Sequence, residues 1–164
     1  LEQYKKIDAL SEVYLHKGKP LTVVSAPSTN TFGSVRIEGD TIYFTTVTGS
    51  REEKLALYKK LLLKTGKVYL HLCCAEMAVR YRFRIASVSV RHMRSRWGSC
   101  NSKGVITLNA ALMQCPQDII DYVIIHELCH TRFPDHSPRF WMEVEKYLPD
   151  YRDLRGALKK YNIM

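Results

Sequence analysis

Apolar and polar positions alternate over the first third of the chain and take helical spacing after it. Glu12–His16 and Leu21–Ser25 are short apolar runs around Lys17-Gly18-Lys19-Pro20, a turn signal, and read as a hairpin. Ser34–Glu38 and Thr41–Thr46 repeat the pattern around Gly39-Asp40. Between the two pairs, Ala26–Phe32 is rich in Pro, Ser, Thr and Asn and reads as a loop. The first ten residues are mixed and read as a short helix or a fragment of one.

From Arg51 to about Phe83 the residues are helix formers. Leu55, Tyr58, Leu62, Thr65, Tyr69, Leu72, Met77 and Tyr81 recur at three to five residues. Ser50 is the expected N-cap, and Glu53 completes a capping-box pattern. Gly66 is the weak point of this helix and is expected to mark a bend. Ser87–His92 and Val105–Asn109 read as strands, with Gly98-Ser99 between them as a turn. Pro116 opens a helix that runs through His130 and stops before Pro134; Asp118 and Asp121 suit its positive end. Pro138 opens another to Tyr147, and Pro149 a last one to about Lys160.

Strands first and helices after, with no repeat and no linker, predict a single α+β domain. A β-hairpin region over 1–49 precedes a core over 50–164. The chain opens on Leu1 rather than Met, which leaves room for more of this region upstream.

Composition is ordinary for a globular domain: 46% hydrophobic and 25% charged over 164 residues. The longest apolar runs fall far short of the roughly 20 residues that span a bilayer, so no membrane segment is expected. Charge changes the picture more. The net charge is +9, and from Met77 to Gln117 there is no Asp or Glu. That stretch holds Arg80, Arg82, Arg84, Arg91, Arg94, Arg96 and Lys103. Either this block meets DNA or another polyanion, or its arginines pair with acids elsewhere in the fold. The five cysteines are odd in number and contain no C-x-x-C pair, so neither a disulfide framework nor a cysteine zinc site is expected. Reduced thiols in the cytoplasm are the simplest account.

The chemistry concentrates in His126-Glu127-Leu128-Cys129-His130. Residues four apart share a helix face, so both imidazoles can point at one metal, with Glu127 beside them as a base for an activated water. Ile119, Ile120, Val123, Ile124 and Leu128 would bury the rest of the helix and fix the ligands. Three set positions, two of them His, arise by chance in roughly one chain of this length in a few hundred. The third ligand has two readings: His136, presented by a loop stiffened by Pro134 and Pro138, or a later glutamate, Glu143 or Glu145. Phe133 stands where the metzincin pattern has Gly, so that pattern does not apply. His16, His71 and His92 read as bystanders, and Cys129 lies off the ligand face.

Several segments form one ordered series. They are Arg96-Trp97-Gly98-Ser99-Cys100, Ile106-Thr107-Leu108-Asn109, Asp121 to His130, His136-Ser137-Pro138-Arg139-Phe140-Trp141, and Pro149-Asp150-Tyr151. The series resembles the YgjP-like metal-dependent hydrolases, minigluzincin-type zincins related to the SprT/Spartan and WLM proteases. The resemblance covers roughly residues 50–160. It implies a zincin-like α+β fold, with a small mixed or antiparallel sheet on the long helix and the metal helix. It implies Zn²⁺ held by His126, His130 and His136, Glu127 as general base, and protein or peptide substrates. In zincins an edge strand beside the metal helix pairs with extended substrate, which points to Val105–Asn109. Arg94 or Arg96 either stabilises the oxyanion opposite zinc or pairs with a helix acid; Tyr151 is a second candidate for the electrophilic role, beside a structural one. Trp97 reads as core.

Three function classes follow. The first is a zinc metallopeptidase. The second keeps the zinc and acts on a phosphate-bearing small molecule such as a nucleotide. The third is a nucleic-acid-associated module with a structural metal, a reading that leaves Glu127 without a use.

Overall fold

In the computed structural model, which describes residues 13–163, the chain carries eight strands and four helices. The helix expected over the first ten residues lies outside the described residues. Strands β1 (Leu15–His16) and β2 (Lys19–Pro20) form a hairpin, closed by Leu21 N–H donating to the Tyr14 carbonyl. Its turn is where the sequence put it. The run after it takes a different partner, however. Strand β3 (Thr22–Pro27) pairs in parallel with β5 (Thr41–Thr46), and β4 (Ser34–Glu38) pairs antiparallel on the other side of β5. Alternation in β5 buries Ile42, Phe44 and Thr46. A second three-stranded sheet has the order β6 (Ser87–Arg91), β8 (Val105–Asn109), β7 (Gly98–Cys100), with β6 parallel and β7 antiparallel to β8. Gly98-Ser99, expected as a turn, is therefore strand; three residues are too few to show a period. The expected small mixed sheet is present, divided among three small sheets.

Helix α1 (Arg51–Arg80) is the spine against which β4, β5, β6 and the 3-10 turn Ala110–Gln114 pack. Its start is capped as expected on one side: Ser50 Oγ accepts from Glu53 N–H at 3.1 Å. The Glu53 carboxylate does not return to Ser50. It accepts from the backbone N–H groups of Val47 and Thr48, each at 2.8 Å, and so ties the end of β5 to the helix. The buried stripe of α1 is Tyr58, Leu62, Gly66, Leu70, Cys74 and Ala78, a strict spacing of four. Each such step overshoots a turn by about 40°, so the stripe winds around the helix and meets successive elements. Leu72, expected inside, is exposed. Gly66 marks a close approach rather than a break: a Cβ there would sit 3.3 Å from Met113 Cγ and 3.5 Å from Val90 Cγ1.

The end of α1 is unusual. Phe83 N–H donates to the Ala78 carbonyl and Arg82 N–H to that of Val79, a Schellman pattern. The left-handed position, normally glycine, is Arg82, with φ of 56°. Arg132 reaches across to donate to the carbonyls of Tyr81 and Arg82, to Glu143 and to the Tyr147 hydroxyl, with its guanidinium 4.0 Å from the Phe83 ring centroid. One side chain thus locks the exit of α1 to the third helix.

Helix α2 (Gln117–Cys129) is apolar on most of its surface and lies between α1, α3 (Pro138–Tyr147), α4 (Tyr151–Leu158), β7 and β8. Ile119, Ile120, Val123, Ile124 and Leu128 are all buried, as the pattern required, along with Tyr122 and Ile125. Tyr14, Leu21, Ile42 and Phe44 share one core cluster with α1 and α2. Among the described residues no helix is long and apolar enough to cross a membrane.

Candidate active site

The C-terminal turns of α2 present His126 and His130 on one face, and the loop after the helix brings back His136. One nitrogen from each ring lies within 4.8 Å of the other two, and among the described residues no other His, Cys, Asp or Glu set converges in this way. His16, His71 and His92 stand apart; His92 Nε2 instead meets the Lys59 carbonyl at 2.9 Å.

The chemistry of these donors fits a divalent cation. His130 Nδ1 donates to the Phe133 carbonyl at 3.0 Å, which leaves the lone pair on Nε2. His126 Nε2 and His136 Nε2 face each other at 3.1 Å. Two neutral rings present acceptor lone pairs in this way only when a proton or a cation lies between them. Burial pushes the His126 pKa down to about 3 and lowers that of His130, so both rings stay neutral and able to ligate. The apolar surroundings hold the rings still. His130 stacks on Phe140 at 4.4 Å between centroids, His136 on Trp141 at 5.7 Å, and Trp141 in turn on Tyr151 at 5.2 Å.

The two glutamates weighed as third ligands are engaged elsewhere. Glu143 is buried in ion pairs with Arg132 and Lys146, and Glu145 pairs with Arg152 at 2.9 Å. Cys129 is buried off the face, its thiol pushed up to about 12 by burial.

Glu127 is buried, only 6% exposed, between α2 and β7. Burial raises its pKa to about 7, against a smaller opposing pull from Arg96. A carboxyl that titrates near neutrality can both take and return a proton. It borders a cavity of about 350 Å³ lined by residues 95–98, by Tyr122, Val123, His126 and Glu127 of α2, and by Arg155, Leu158 and Lys159 at the end of α4.

Of the expected electrophiles, only Arg96 lines this cavity. Arg94 is exposed two residues earlier, outside the lining. Tyr151 is buried flat against Trp141 and supports it from behind. The edge strand beside α2 is β7, not Val105–Asn109. β8 is central, and both its edges are already paired. Asn109, inside the core, has a distinct task. Its side-chain amide donates to the carbonyls of Met93 and Arg96 at 2.9 and 2.8 Å, and its N–H to that of Trp97. It thereby shapes the segment that carries Arg96 and Trp97 to the cavity. Trp97 packs partly buried against the core.

Sequence reasoning missed Tyr122, Trp141, Arg155 and Lys159. Tyr122 was within reach of it, four residues before His126 on the same face. Nothing local marks Arg155 or Lys159, which arrive through the packing of α4 on α2.

The sequence matches the family model described as YgjP-like, metallopeptidase domain, over residues 2–161. No curated protein matches it. Among solved structures it is similar to the metallopeptidase zymogen abylysin of Pyrococcus abyssi, with 24% identity and a TM-score of 0.50, over 58% of this chain and 99% of that one. It is also similar to the metallopeptidase zymogen jannalysin of Methanocaldococcus jannaschii, with 15% identity and a TM-score of 0.50, over 56% of this chain and 94% of that one. These two likenesses concern the fold.

Proposed function

The chain belongs to the YgjP-like metallopeptidase family and is a metal-dependent peptidase; on that premise we propose that its metal is zinc, held by His126, His130 and His136, and that Glu127 is the general base. The observation that carries the assignment is the convergence of three imidazole nitrogens beside a buried carboxyl raised to about 7. Three neutral nitrogen ligands with room for a further one are the usual makeup of a catalytic zinc site. When bound, zinc supplies Lewis acidity that polarises a carbonyl and acidifies a water.

The remaining work falls to the chain. Glu127 takes a proton from the attacking water and returns it to the amine that leaves. Arg96 approaches from the cavity side as the donor best placed for charge developing on the carbonyl oxygen. β7 offers the free edge along which an extended peptide can pair. A closed structural metal would have no use for a buried base at its side.

Two finer points belong to the same proposal. The five cysteines are free thiols, which suits a reducing compartment, the cytoplasm. Arg80, Arg82, Arg84, Arg91, Arg94, Arg96 and Lys103 are all exposed, and none takes part in an ion pair among the described residues. Apart from the charge of Arg80 felt at Asp121 and that of Arg96 felt at Glu127, this favours contact with DNA or another polyanion over internal pairing.

The test is metal analysis of the purified protein, followed by hydrolysis assays of the zinc-loaded chain and of Glu127→Gln. Unfolded proteins, DNA-bound proteins and nucleoside triphosphates serve as substrates. Cleavage of proteins by the first and not the second, at equal zinc content, supports the reading. Equal activity of the two removes Glu127 from the mechanism. For the basic stretch, a DNA titration at two salt concentrations should show steep weakening, with a log–log slope of about −0.9 per phosphate contact.

A further inference from the structure

The cavity beside Glu127 has an uneven charge. Three cations line it, Arg96 from the segment before β7 and Arg155 and Lys159 from the end of α4, and the only acid in its lining is Glu127 itself. None of the three cations forms an ion pair among the described residues. The rest of the wall is largely apolar or aromatic: Trp97, Tyr122, Val123 and Leu158. Arg155 is anchored rather than free, with its guanidinium 4.9 Å from the ring centroid of Trp141, the ring on which His136 stacks. Its charge is felt at His126 and Tyr122, and that of Arg96 at Glu127.

Cations gathered around a concave, partly apolar wall reinforce one another's potential, which favours an anion and works against a basic group. The apolar wall suits the methylenes of a short side chain, and guanidinium pairs well with carboxylate. Glu127 cannot satisfy all three cations, because its carboxyl is buried on the β7 side and is needed by the reacting water.

We propose that this cavity is a specificity subsite for a carboxylate of the peptide substrate, held by Arg155 and Lys159 next to the scissile bond, where Arg96 faces the reacting carbonyl. The proposal deepens the peptidase reading and rests on it. The carboxylate has two sources: an Asp or Glu side chain flanking the bond, or the free α-carboxylate of a chain end. The first makes the protein an acid-directed endopeptidase, the second an enzyme that trims C-termini.

The experiment compares cleavage by the zinc-loaded protein of matched peptides carrying Glu, Gln or Lys at each position around the bond, each with a free or an amidated C-terminus. A second measurement follows binding of the same peptides, fluorescently labelled, to Glu127→Gln by anisotropy. kcat/KM should fall about tenfold from Glu to Gln at one position, and further to Lys, or by a similar factor on amidation; the pattern identifies the source. Arg155→Gln and Lys159→Gln should each bring the Glu-to-Gln ratio of kcat/KM towards one, whatever the absolute rate. Arg84→Gln, exposed outside the cavity, should leave it intact, which separates the subsite from the general attraction of a chain with net charge +9. Cleavage with equal kcat/KM for the Glu, Gln and amidated peptides overturns the subsite and leaves the peptidase reading standing. Absence of all peptide cleavage, with carboxylate-dependent binding to Glu127→Gln that Arg155→Gln abolishes, overturns the peptidase reading and keeps the subsite. Binding indifferent to the carboxylate, or hydrolysis confined to nucleoside triphosphates, overturns the subsite.

Discussion

Gly98 of β7 abuts the Glu127 carboxyl so closely that a Cβ on Gly98 would lie 2.6 Å from Oε1 and 2.7 Å from Cγ. The edge strand and the Glu127 carboxyl therefore share one space, and only a residue without a side chain lets both occupy it. Gly98→Ala should push Glu127 out of line. Since misplacement by about 1 Å can cost about 10²-fold, kcat/KM should fall by about that factor while zinc content stays at the wild-type value. Steady-state kinetics with metal analysis on the same sample checks this; an unchanged rate would mean that Glu127 does not need its position.

Glu127 also links stability to pH. In the folded chain it keeps its proton up to about pH 7, whereas the unfolded chain releases it near 4.5. The folded state binds more protons across that window, so this group lowers stability as pH rises through it, by up to about 3 kcal/mol. His126 acts in the opposite sense: its depressed pKa removes stability as pH falls from 6.5 towards 3. In the metal-free protein, Glu127→Gln should raise Tm at pH 8 and leave it nearly unchanged at pH 4.5. Thermal melts in chelator at the two pH values are the measurement, and equal shifts at both would contradict the burial of the carboxyl.

The choice of third ligand separates cleanly by substitution. His136→Ala removes an exposed ring and should weaken zinc affinity by more than about 10²-fold, beyond the 10–100-fold typical of outer-shell changes, with little loss of fold. Glu143→Gln should do the reverse. It keeps the zinc but lowers stability by about 1–3 kcal/mol, since Arg132 and Lys146 lose their shared partner. Competition with a chromophoric chelator and chemical denaturation read the two effects; a Glu143→Gln protein that folds but loses zinc would reverse the assignment.

Arg82 occupies the left-handed position after α1 with a side chain that disfavours it. Such a position costs about 1–2 kcal/mol for a non-glycine residue, part of which glycine returns as extra freedom in the unfolded chain. Arg82→Gly should therefore stabilise the protein by about 0.5–1 kcal/mol in a denaturant titration. Its backbone carbonyl, which Arg132 holds, is unaffected by the change.

What the sequence determined is what depends on local period and local chemistry. Ser34–Glu38, Thr41–Thr46, Val105–Asn109 and Pro138–Tyr147 fall where alternation or a helix-opening proline put them. The placement of His126, Glu127 and His130 follows from spacing on one apolar helix, because a helix face is a property of spacing alone. Position in space is not. That Leu21–Ser25 leaves its hairpin to run parallel to β5 depends on which edge is open when the sheets assemble. That β7 rather than β8 borders Glu127 depends on strand order, which no local pattern encodes. The stripe on α1 was blurred because a spacing of four drifts around the helix and matches no fixed face. Arg155 and Lys159 joined the cavity only through the packing of α4 on α2, and the pKa of Glu127 came from the burial that this packing and β7 impose. The candidate groups were thus written in the order of residues, while their protonation, their neighbours and the shape of the space before them arose from contacts between elements far apart in the chain.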